Sequence, residues 1–343
     1  MYLRNSWYVI AWSRELGEKP VARKIMDESI VIFRTADGRI GALEDRCPHR
    51  QVPLSMGKLQ GNCIQCCYHG LQFDIEGICV SAPSQDIIPS KAKVKSYPAV
   101  EKYGWIWVWM GEAGAVDAGL IPDFSKLTDS GYKAVGTTNH VLANYRLVTD
   151  NLMDLSHVGF VHTTTIGNQE MGTKGELSVK RLEQGVRVLR LVPDVPPPPT
   201  YIKTGVLPEG KNIDRWQVID FVPPCFVLIH VGGAEAGTGA LEGRYQHGLN
   251  MWILNAMTPE TDESVHYFWA SVRQHALDNP MVDELFFEQV SEAFEEDKRV
   301  LEAQQSVLSR HSDLWSVALK GDAGCLQVRR VLDKLIRAEQ AAA

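Results

Sequence analysis

Short apolar runs separated by turn residues fill the first third of the chain. Residues 29–33, 40–43 and 105–109 are apolar or alternate between apolar and polar positions, and turn sequences such as Ala36-Asp37-Gly38 separate such runs. Apolar runs of this length between turn signals are typical of β-strands. This part of the chain is therefore predicted to be a small all-β sandwich or barrel.

The pattern changes after residues 111–119, which are rich in small side chains and place a domain boundary near residue 115. Beyond this stretch, apolar positions repeat with helical or strand periodicity. They predict helices at 145–162, 280–310 and 328–339, a hairpin at 177–192, long antiparallel strands at 216–231, 248–257 and 265–273, and loops at 167–175 and 192–210. The fold class is therefore α+β, with an all-β domain at 1–115 and a mixed domain at 116–343.

Composition and charge exclude several classes of protein. With 343 residues, of which 45% are hydrophobic and 22% charged, the chain is a globular protein of about two domains rather than a disordered one. Its net charge of −7 offers no basic surface for nucleic acid or an anionic membrane. No apolar run approaches the roughly 20 residues of a membrane-spanning helix. We therefore expect a cytoplasmic protein without nucleic-acid or membrane partners.

Two tight loops each combine one cysteine with one histidine. One residue separates Cys47 from His49, and two separate Cys66 from His69. A structural zinc site usually pairs two cysteines on one turn with two histidines on a helix. One thiolate and one imidazole from each loop instead suit an asymmetric cluster of the Rieske [2Fe–2S] type, with the cysteines on one iron and the histidines on the other. The alternatives are a zinc site and four unrelated loop residues.

The remaining cysteines are predicted to be structural. The chain has seven cysteines, so they cannot all form disulfides, and in the cytoplasm thiols stay reduced. Cys63 and Cys67 lie beside the cluster loops and are interpreted as small apolar side chains, with a disulfide between them as the alternative. Cys79, Cys225 and Cys325 are isolated in the sequence.

A second cluster of acids and histidines follows on the first predicted helix. Asp150, Asp154 and His157 share one face of this helix, because residues three or four apart are neighbours. His162 lies about 140° round the helix from His157, so both can reach one metal only if the helix bends or ends between them. Gly159 permits such a bend. Charged side chains among apolar neighbours persist when they are paired or bound to metal.

The helix at 280–310 supplies the acid that a site with two histidines and one carboxylate requires. Asp297 lies three or four residues from apolar positions on either side, which places it on the buried face. Asp297 is therefore a candidate iron ligand, and the alternative is an ion pair with Arg299 or another base. The other acids of this region are expected to face solvent: Glu292, Glu295, Glu296 and Glu302.

Over nearly the whole chain, the sequence resembles the oxygenase components of Rieske non-haem iron monooxygenases, in particular the vanillate O-demethylase branch, with dicamba O-demethylase as a relative. The two Cys/His loops and the Asp-x-x-His-x-x-x-x-His sequence from Asp154 to His162 are specific to the superfamily. Further stretches resemble the vanillate branch: Asn5-x-Trp-Tyr-Val, Asp150-Asn-Leu-Met-Asp-Leu-x-His157, Arg215-Trp-Gln, Pro223-Pro224, 258–262, Tyr267-Phe-Trp269 and 322–330.

The resemblance implies a Rieske [2Fe–2S] domain followed by a helix-grip-like antiparallel sheet with helices that hold a mononuclear iron. His157, His162 and Asp297 would ligate this Fe(II), and open coordination positions would admit O₂ beside the substrate. Asn151 corresponds to a residue close to the iron.

The resemblance also implies a homotrimer, in which the Rieske cluster of one subunit serves the iron of the next. Asp154 corresponds to a bridging aspartate, which would accept hydrogen bonds from His157 in its own subunit and from the cluster histidine His69 across the interface. Such a carboxylate fixes the tautomer of a ligand histidine.

The implied reaction is the oxidative O-demethylation of a methoxylated aromatic acid such as vanillate. A methoxy C–H bond is hydroxylated with O₂ and two electrons, and the product collapses to a phenol and formaldehyde. Electrons would come from NADH through a separate flavin and [2Fe–2S] reductase, because the chain lacks a Gly-x-Gly-x-x-Gly sequence. The alternatives are hydroxylation of a methyl group, as in toluenesulfonate, or of another aromatic acid; a non-catalytic Rieske electron carrier; and a structural zinc protein.

The substrate is expected to lie against the strands at 216–231 and 248–257. An aromatic acid fits a largely apolar pocket with a few polar anchors. His230 stands where the resemblance implies an acid. The polar residues predicted to contact the substrate are Asn255, His247, His230 and Arg215, with Gln217 as a further candidate.

Overall fold

The computed structural model describes residues 1–163, 165–167, 175–204, 206–207, 210–246, 248–311 and 317–342. The chain divides into two compact units: Met1–Pro122 together with Thr258–Thr261, and Asp123–Met257 together with Asp262–Ala343. The first boundary lies at Pro122, slightly beyond the stretch of small residues. Within the described ranges, no helix combines the length and the apolar character needed to span a membrane.

The first unit is built from short strands, as its apolar runs predict. Its strands are β1 (Trp7–Trp12), β2 (Val21–Ile25), β3 (Glu28–Arg34), β4 (Ile40–Glu44), β5 (Lys58–Gln60), β6 (Cys63–Gln65), β7 (Gln72–Phe73), β8 (Cys79–Ser81), β9 (Ala99–Lys102) and β10 (Trp105–Trp109). Across 1–122, all of which the structure describes, they form three sheets with the orders β1-β10-β9, β2-β3-β4 and β5-β6-β7-β8.

Aromatic and aliphatic side chains fill the interior of this unit. Strand β10 is buried along its whole length. Its Trp109 and Trp105 rings pack edge to face against Trp7 and Trp12 of β1, with ring centroids 5.6 and 5.4 Å apart. A second apolar cluster combines buried residues of β3, β4, β6 and β7 and includes both Cys47 and Cys66. The loops that carry the cysteines are thus anchored on a rigid core.

The second unit combines one large sheet with helices, which confirms the α+β fold class. Its elements are β11 (Lys133–Val141), α1 (Tyr145–Met153), α2 (Val158–Val161), β12 (Glu176–Leu182), β13 (Gly185–Val195), α3 (Pro199–Lys203), β14 (Ile213–Val222), β15 (Phe226–Glu235), β16 (Leu249–Thr261), β17 (Ser264–Arg273), α4 (Pro280–Arg310) and α5 (Ala323–Ala342). In the described part of the chain the sheet has seven strands, in the order β11-β17-β16-β15-β14-β13-β12. Antiparallel pairing joins β11 to β17 and each consecutive pair from β12 to β16.

Helix α4 packs on this sheet through the apolar stripe read from the sequence. Phe294 lies edge to face against Tyr267 and Trp269 of β17, with ring centroids 5.0 and 5.2 Å apart. The side chain of Asn279 caps the helix by accepting a hydrogen bond from the Met281 amide at 3.1 Å. Asp297 is buried on the packed face, as its position in the stripe predicts.

Three segments differ from the sequence prediction. The single strand expected over 216–231 is instead part of two antiparallel strands, because β14 ends at Val222 and β15 begins at Phe226. The helix expected over 145–162 is broken at Asp154, whose extended backbone (φ −123°, ψ 94°) separates α1 from a 3₁₀ turn at Leu155–His157 and from α2. The loop expected from 192 begins only after β13 ends at Val195, and it contains α3. The prolines after Val195 explain this, since proline cannot donate to a sheet but is accepted at the first position of a helix.

Candidate metal centres and substrate cavity

The two Cys/His loops of the first unit have the same backbone hydrogen bonds. The amide of Cys47 donates to the carbonyl of Val52 at 2.9 Å, and the amide of Cys66 donates to the carbonyl of Leu71 at 2.8 Å. Each loop therefore spans six residues and closes on its own cysteine. The loops lie between β4 and β5 and between β6 and β7, where the strands hold their ends.

A left-handed residue at the same point completes each loop. Gln51 has φ +62° and Gly70 has φ +74°, and their amides donate back to the carbonyls of Cys47 and Cys66 at 2.9 and 3.2 Å. Glycine adopts this conformation freely, whereas a side chain makes it less favourable by about 1–2 kcal/mol. The Gln51 side chain accepts a hydrogen bond from Arg46 Nη1 at 2.6 Å, which helps to hold the strained turn.

The thiols of these loops are buried and the imidazoles are exposed. Cys47 and Cys66 are 2% and 3% exposed, whereas His49 and His69 lie at the surface with their ring centroids 4.3 Å apart. This arrangement fits the Rieske cluster, with an inner iron on cysteine and an outer iron on histidine. Burial raises the pKa of the Cys47 thiol to about 11, opposed by the His49 amide and reinforced by Cys66. Because thiolates are the ligands, iron binding here displaces protons.

All seven cysteines are free thiols. Cys63 and Cys67, the pair for which the sequence left a disulfide as an alternative, are among them. Cys63 is half-buried and Cys67 is exposed.

The second unit brings His157, His162 and Asp297 together. One ligand atom from each lies within 4.8 Å of the others. Asp297 Oδ1 is 3.4 Å from His157 Nε2 and 3.2 Å from His162 Nε2. The two histidines do not follow one regular helix, because His157 ends the 3₁₀ turn and His162 follows the last residue of α2 with a non-helical backbone (φ −105°, ψ 37°). Two imidazoles and one carboxylate converging on one point fit a mononuclear iron with open coordination positions.

Nδ1 of His157, the ring nitrogen that faces away from Asp297, contacts a main-chain carbonyl rather than a carboxylate. His157 Nδ1 lies 2.7 Å from the carbonyl oxygen of Asp154, so it is the protonated nitrogen and Nε2 is left to bind metal. The Asp154 carboxylate instead accepts from the Ser156 amide at 2.9 Å and caps the 3₁₀ turn. Within this chain, the expected Asp154 carboxylate contact with His157 is therefore replaced by a carbonyl contact.

Two further residues support the site. Asn151 Nδ2 donates to Asp297 Oδ1 at 2.9 Å, which agrees with its expected position near the iron. Glu296 Oε2 lies 2.7 Å from His162 Nδ1, so the prediction that Glu296 faces solvent is wrong. The alternative ion pair of Asp297 with Arg299 is not formed among the described contacts of Asp297, which are with the two histidines and Asn151.

Charge at the site favours a bound cation. Burial would raise the pKa of Asp297, but hydrogen bonds from His157 and His162 outweigh it and lower this pKa below its usual value. Burial would lower the pKa of His162, but Asp297 and Glu296 outweigh it and raise this pKa. A buried carboxylate that stays ionised beside imidazoles is suited to a divalent metal.

A cavity of about 740 Å³, which includes its opening to solvent, borders the three proposed ligands. Its mostly apolar walls suit a small aromatic ligand. Its polar lining is contributed by Asn151, Thr200, Tyr201, Arg215 and Gln217, and its apolar lining includes Leu152, Ile166, Ile229, Val231, Met251, Ile253, Phe286, Val290 and Phe294.

Arg215 gives the cavity a positive charge. It is 3% exposed, donates from Nη2 to the Tyr201 hydroxyl at 3.2 Å, and lies with its guanidinium carbon 4.6 Å from the centroid of the Tyr201 ring. A second buried arginine, Arg190, donates from Nη1 to Gln217 Oε1 at 3.4 Å. Burial lowers the pKa of Arg190, Asp154 opposes this effect and the charge of Arg215 adds to it. An anionic group in the cavity would relieve the repulsion between these two cations.

Two other predicted substrate residues do not line the cavity. His230 lies on the opposite face of β15 from its cavity-lining neighbours Ile229 and Val231, and it stacks on Trp252 with ring centroids 4.8 Å apart. Side chains alternate between the faces of a strand, so a single step along β15 excludes His230.

Asn255 lies on β16 and its amide group is fully engaged in internal hydrogen bonds. Its Nδ2 donates to the carbonyls of Val227 and Ile253 at 2.8 and 3.1 Å, and its Oδ1 accepts from the Tyr267 hydroxyl at 2.8 Å. It is a structural residue. His247, the fourth residue predicted to contact substrate, lies outside the described residues.

The chain matches two protein families along most of its length. Residues 6–98 match the Rieske [2Fe-2S] domain, and residues 141–338 match the vanillate O-demethylase oxygenase C-terminal domain. The fold and the two metal sites thus define a Rieske non-haem iron monooxygenase, whose cofactors are a [2Fe–2S] cluster and a mononuclear iron. The chain belongs to the family of vanillate O-demethylase oxygenase subunits. The zinc-protein and electron-carrier alternatives do not account for an oxygenase domain.

Named relatives act on several aromatic substrates. The chain is 35% identical to the toluene-4-sulfonate monooxygenase system iron-sulfur subunit TsaM1 of Comamonas testosteroni, over 99% of this chain and 98% of that protein. It is 36% identical to the vanillate O-demethylase oxygenase subunit of Pseudomonas sp. (strain HR199 / DSM 7063), over 100% of this chain and 97% of that protein. The crystal structure of dicamba monooxygenase bound to dicamba superposes with a TM-score of 0.91 at 34% identity, covering 99% of both chains. The family expected from the sequence is therefore confirmed.

Proposed function

We propose that the chain is the oxygenase component of a system that O-demethylates a methoxylated aromatic acid, such as a vanillate-like compound, and releases formaldehyde. The observation that carries this proposal is the cavity itself. Its walls are mostly apolar, the three-residue metal site borders it, and the cationic residue Arg215 is among its lining residues. An aromatic ring with one anionic group matches these walls.

The proposal assigns each metal a set of ligands. For the mononuclear iron they are His157, His162 and Asp297, and for the cluster they are Cys47, His49, Cys66 and His69.

Asn151 and Asp154 act on the iron site without ligating the metal in this proposal. Asn151 holds one oxygen of Asp297, and Asp154 fixes the tautomer of His157 through its carbonyl. The Asp154 carboxylate is then available to link the iron site to the cluster of a neighbouring subunit in a homotrimer.

The residues of the cavity bind and orient the substrate. Arg215 would pair with the carboxylate of the acid, and apolar side chains such as Ile229 and Met251 would enclose the ring and exclude water. The iron, when bound, supplies the activation of O₂ that C–H hydroxylation requires. The overall balance is R–OCH₃ + O₂ + 2e⁻ + 2H⁺ → R–OH + HCHO + H₂O.

A separate flavin and [2Fe–2S] reductase would supply the two electrons from NADH. The proposed location is the cytoplasm, where NADH is available.

A second candidate is hydroxylation of a methyl group on an aromatic acid. A guanidinium pairs with a sulfonate as well as with a carboxylate, and one relative is a subunit of a toluene-4-sulfonate system. This candidate differs in its product, because an aryl methyl group yields an alcohol and releases no formaldehyde.

The test is turnover of a substrate panel by the purified chain with a flavin/[2Fe–2S] reductase and NADH. The panel contains methoxybenzoates, their methyl esters, methylbenzoates and toluenesulfonate, and the readouts are formaldehyde, phenol and alcohol. Formaldehyde in equal amount to the phenol from a methoxybenzoate supports the proposal. Alcohol from the methyl-substituted acids without any formaldehyde would replace it with the second candidate. A His157→Ala variant that keeps full turnover would refute the iron assignment.

A further inference from the structure

Two consecutive residues of α4 approach opposite nitrogens of one imidazole ring. Asp297 Oδ1 lies 3.2 Å from His162 Nε2, and Glu296 Oε2 lies 2.7 Å from His162 Nδ1. Successive side chains of a helix point about 100° apart, so neighbouring carboxylates can reach two sides of a ring that lies across the helix. We propose that Glu296 is a positioning residue of the iron site, which accepts a hydrogen bond from the Nδ1–H group of His162 and thereby directs Nε2 to the metal.

Glu296 is itself held in place by the turn that follows His162. The hydroxyl of Thr165 donates to the same oxygen, Glu296 Oε2, at 3.2 Å. The amide of Thr165 donates to the His162 carbonyl at 3.2 Å, and the Thr200 hydroxyl donates to the Thr165 carbonyl at 3.0 Å. The side chain of Glu296 is only 19% exposed. The carboxylate therefore has a fixed orientation before any metal binds, which is what positioning of a ligand requires.

The nearby Gly167 allows this turn to pack closely. A Cβ atom at residue 167 would lie 2.0 Å from the carbonyl oxygen of Val158, inside any real contact distance. The segment that carries Thr165 therefore returns directly over α2.

The two proposed histidine ligands are supported unequally. His157 Nδ1 meets a neutral main-chain carbonyl, that of Asp154, whereas His162 Nδ1 meets a carboxylate. Hydrogen bonds to a charged acceptor are roughly twice as strong as those between neutral groups. A carboxylate behind a ligand histidine also increases the basicity of the ring toward the metal. His162 is therefore the more firmly oriented ligand, and Glu296 is the side chain through which its support can be removed.

The experiment measures iron retention, and it rests on the proposed role of His162 as a ligand. Fe(II)-loaded chains carrying Glu296→Gln or Glu296→Ala are exposed anaerobically to a ferrous chelator, with the cluster absorbance as an internal reference. Glu292→Gln, an exposed acid one turn earlier in the same helix, is the matched control, and His162→Ala tests the ligand itself. Loss of an acid behind a ligand histidine typically weakens metal affinity about 10- to 100-fold. We expect a loss of this size in both Glu296 variants and none in Glu292→Gln.

A spectroscopic readout separates positioning from a general effect on folding. The ferrous nitrosyl adduct reports the ligand field of the iron by electron paramagnetic resonance, and its spectrum should change in Glu296→Gln and stay unchanged in Glu292→Gln. Iron affinity and nitrosyl spectrum in Glu296→Gln equal to those of the unsubstituted chain, with iron lost in His162→Ala, would overturn the role of Glu296 alone. Full iron retention in His162→Ala would instead refute the ligand assignment under the proposed function.

Discussion

Replacing Arg215 with glutamine tests whether the cavity selects anionic aromatic substrates. The change removes the guanidinium charge but keeps a polar side chain of moderate length in the lining. Arg215 is almost fully buried, and its contacts with the Tyr201 hydroxyl and ring fix its orientation. A carboxylate bound there would make charge-assisted hydrogen bonds in a place that is shielded from water, where they are strongest.

The expected loss of affinity follows from the burial of the ion pair between Arg215 and the substrate carboxylate. A hydrogen bond to a charged group contributes about 1.5–3 kcal/mol, which corresponds to about a 10- to 150-fold rise in the dissociation constant of the acid. Arg190, which lies close enough to act electrostatically on Arg215, keeps one positive charge near the cavity. The result should therefore lie toward the lower end of this range.

The assay compares each methoxybenzoate with its uncharged methyl ester. Dissociation constants measured by calorimetry should rise for the acid and stay constant for the ester. KM for the acid should rise with little change in kcat, because an anchor remote from the reacting methyl group binds ground state and transition state alike. The matched control is Arg187→Gln, which removes a sheet arginine that pairs with Asp220 at the surface. An equal loss for acid and ester, or the same effect in the control, would show that Arg215 does not bind the anion.

Three other substitutions test separate parts of the structure. Asp154→Asn should keep the iron, because His157 is held by the main-chain carbonyl of residue 154, but it should slow turnover with the reductase. Unchanged turnover in a steady-state assay would contradict the proposed bridging role of the Asp154 carboxylate. Tyr267→Phe should lower the free energy of unfolding by about 1–3 kcal/mol, because the hydrogen bond to Asn255 is lost, and should leave KM unchanged. A higher KM, measured where both proteins are fully folded, would indicate that Asn255 contacts the substrate. Burial would raise the pKa of Glu28, but hydrogen bonds led by Lys95 lower it from 4.5 to about 2. Because its folded-state pKa is lowered, ionised Glu28 stabilises the fold above pH 4.5, and this stabilisation is lost as the pH falls toward 2. Glu28→Gln should therefore lower the free energy of unfolding at neutral pH by ~1 kcal/mol, given the exposure of Lys95, and flatten the pH dependence of that free energy in the acid range. A pH dependence parallel to that of the unsubstituted chain would exclude this role of Glu28.

Local spacing was sufficient to predict the parts of the site that one segment builds alone. The cysteine and histidine of each cluster loop are two or three residues apart, and the loop closes through its own backbone hydrogen bonds. Asp297 was predictable for a similar reason, because the apolar stripe of α4 continues on both sides of it. Helix geometry required the helix to bend or end between His157 and His162, but a 3₁₀ turn that ends at His157 and a helix that ends at Val161 do this instead of a bend at Gly159.

Residues whose role depends on a distant segment were not predictable. Glu296 follows the solvent side of the helical pattern, yet it is bonded to His162, 134 residues away in the chain. Periodicity describes the average environment of a helix face and contains no information about such a partner. The prediction that His230 contacts the substrate was wrong for a related reason. The sequence identified its strand, but packing of the whole sheet decides which face of that strand borders the cavity.

Strand β16 contributes its last residues, Thr258–Thr261, to the first unit. The amides of Met26 and Asp27 donate to the carbonyls of Pro259 and Glu260 at 3.0 and 2.9 Å, and the Thr258 hydroxyl donates to the Val9 carbonyl at 2.6 Å. The unit that carries the cluster is thus discontinuous in the chain. A single crossover near residue 122 between two relatives would combine one parent's turn with the other parent's strand end. Productive recombination therefore has to exchange both stretches together, which ties the inheritance of the electron-carrying half to that of the oxygenase half.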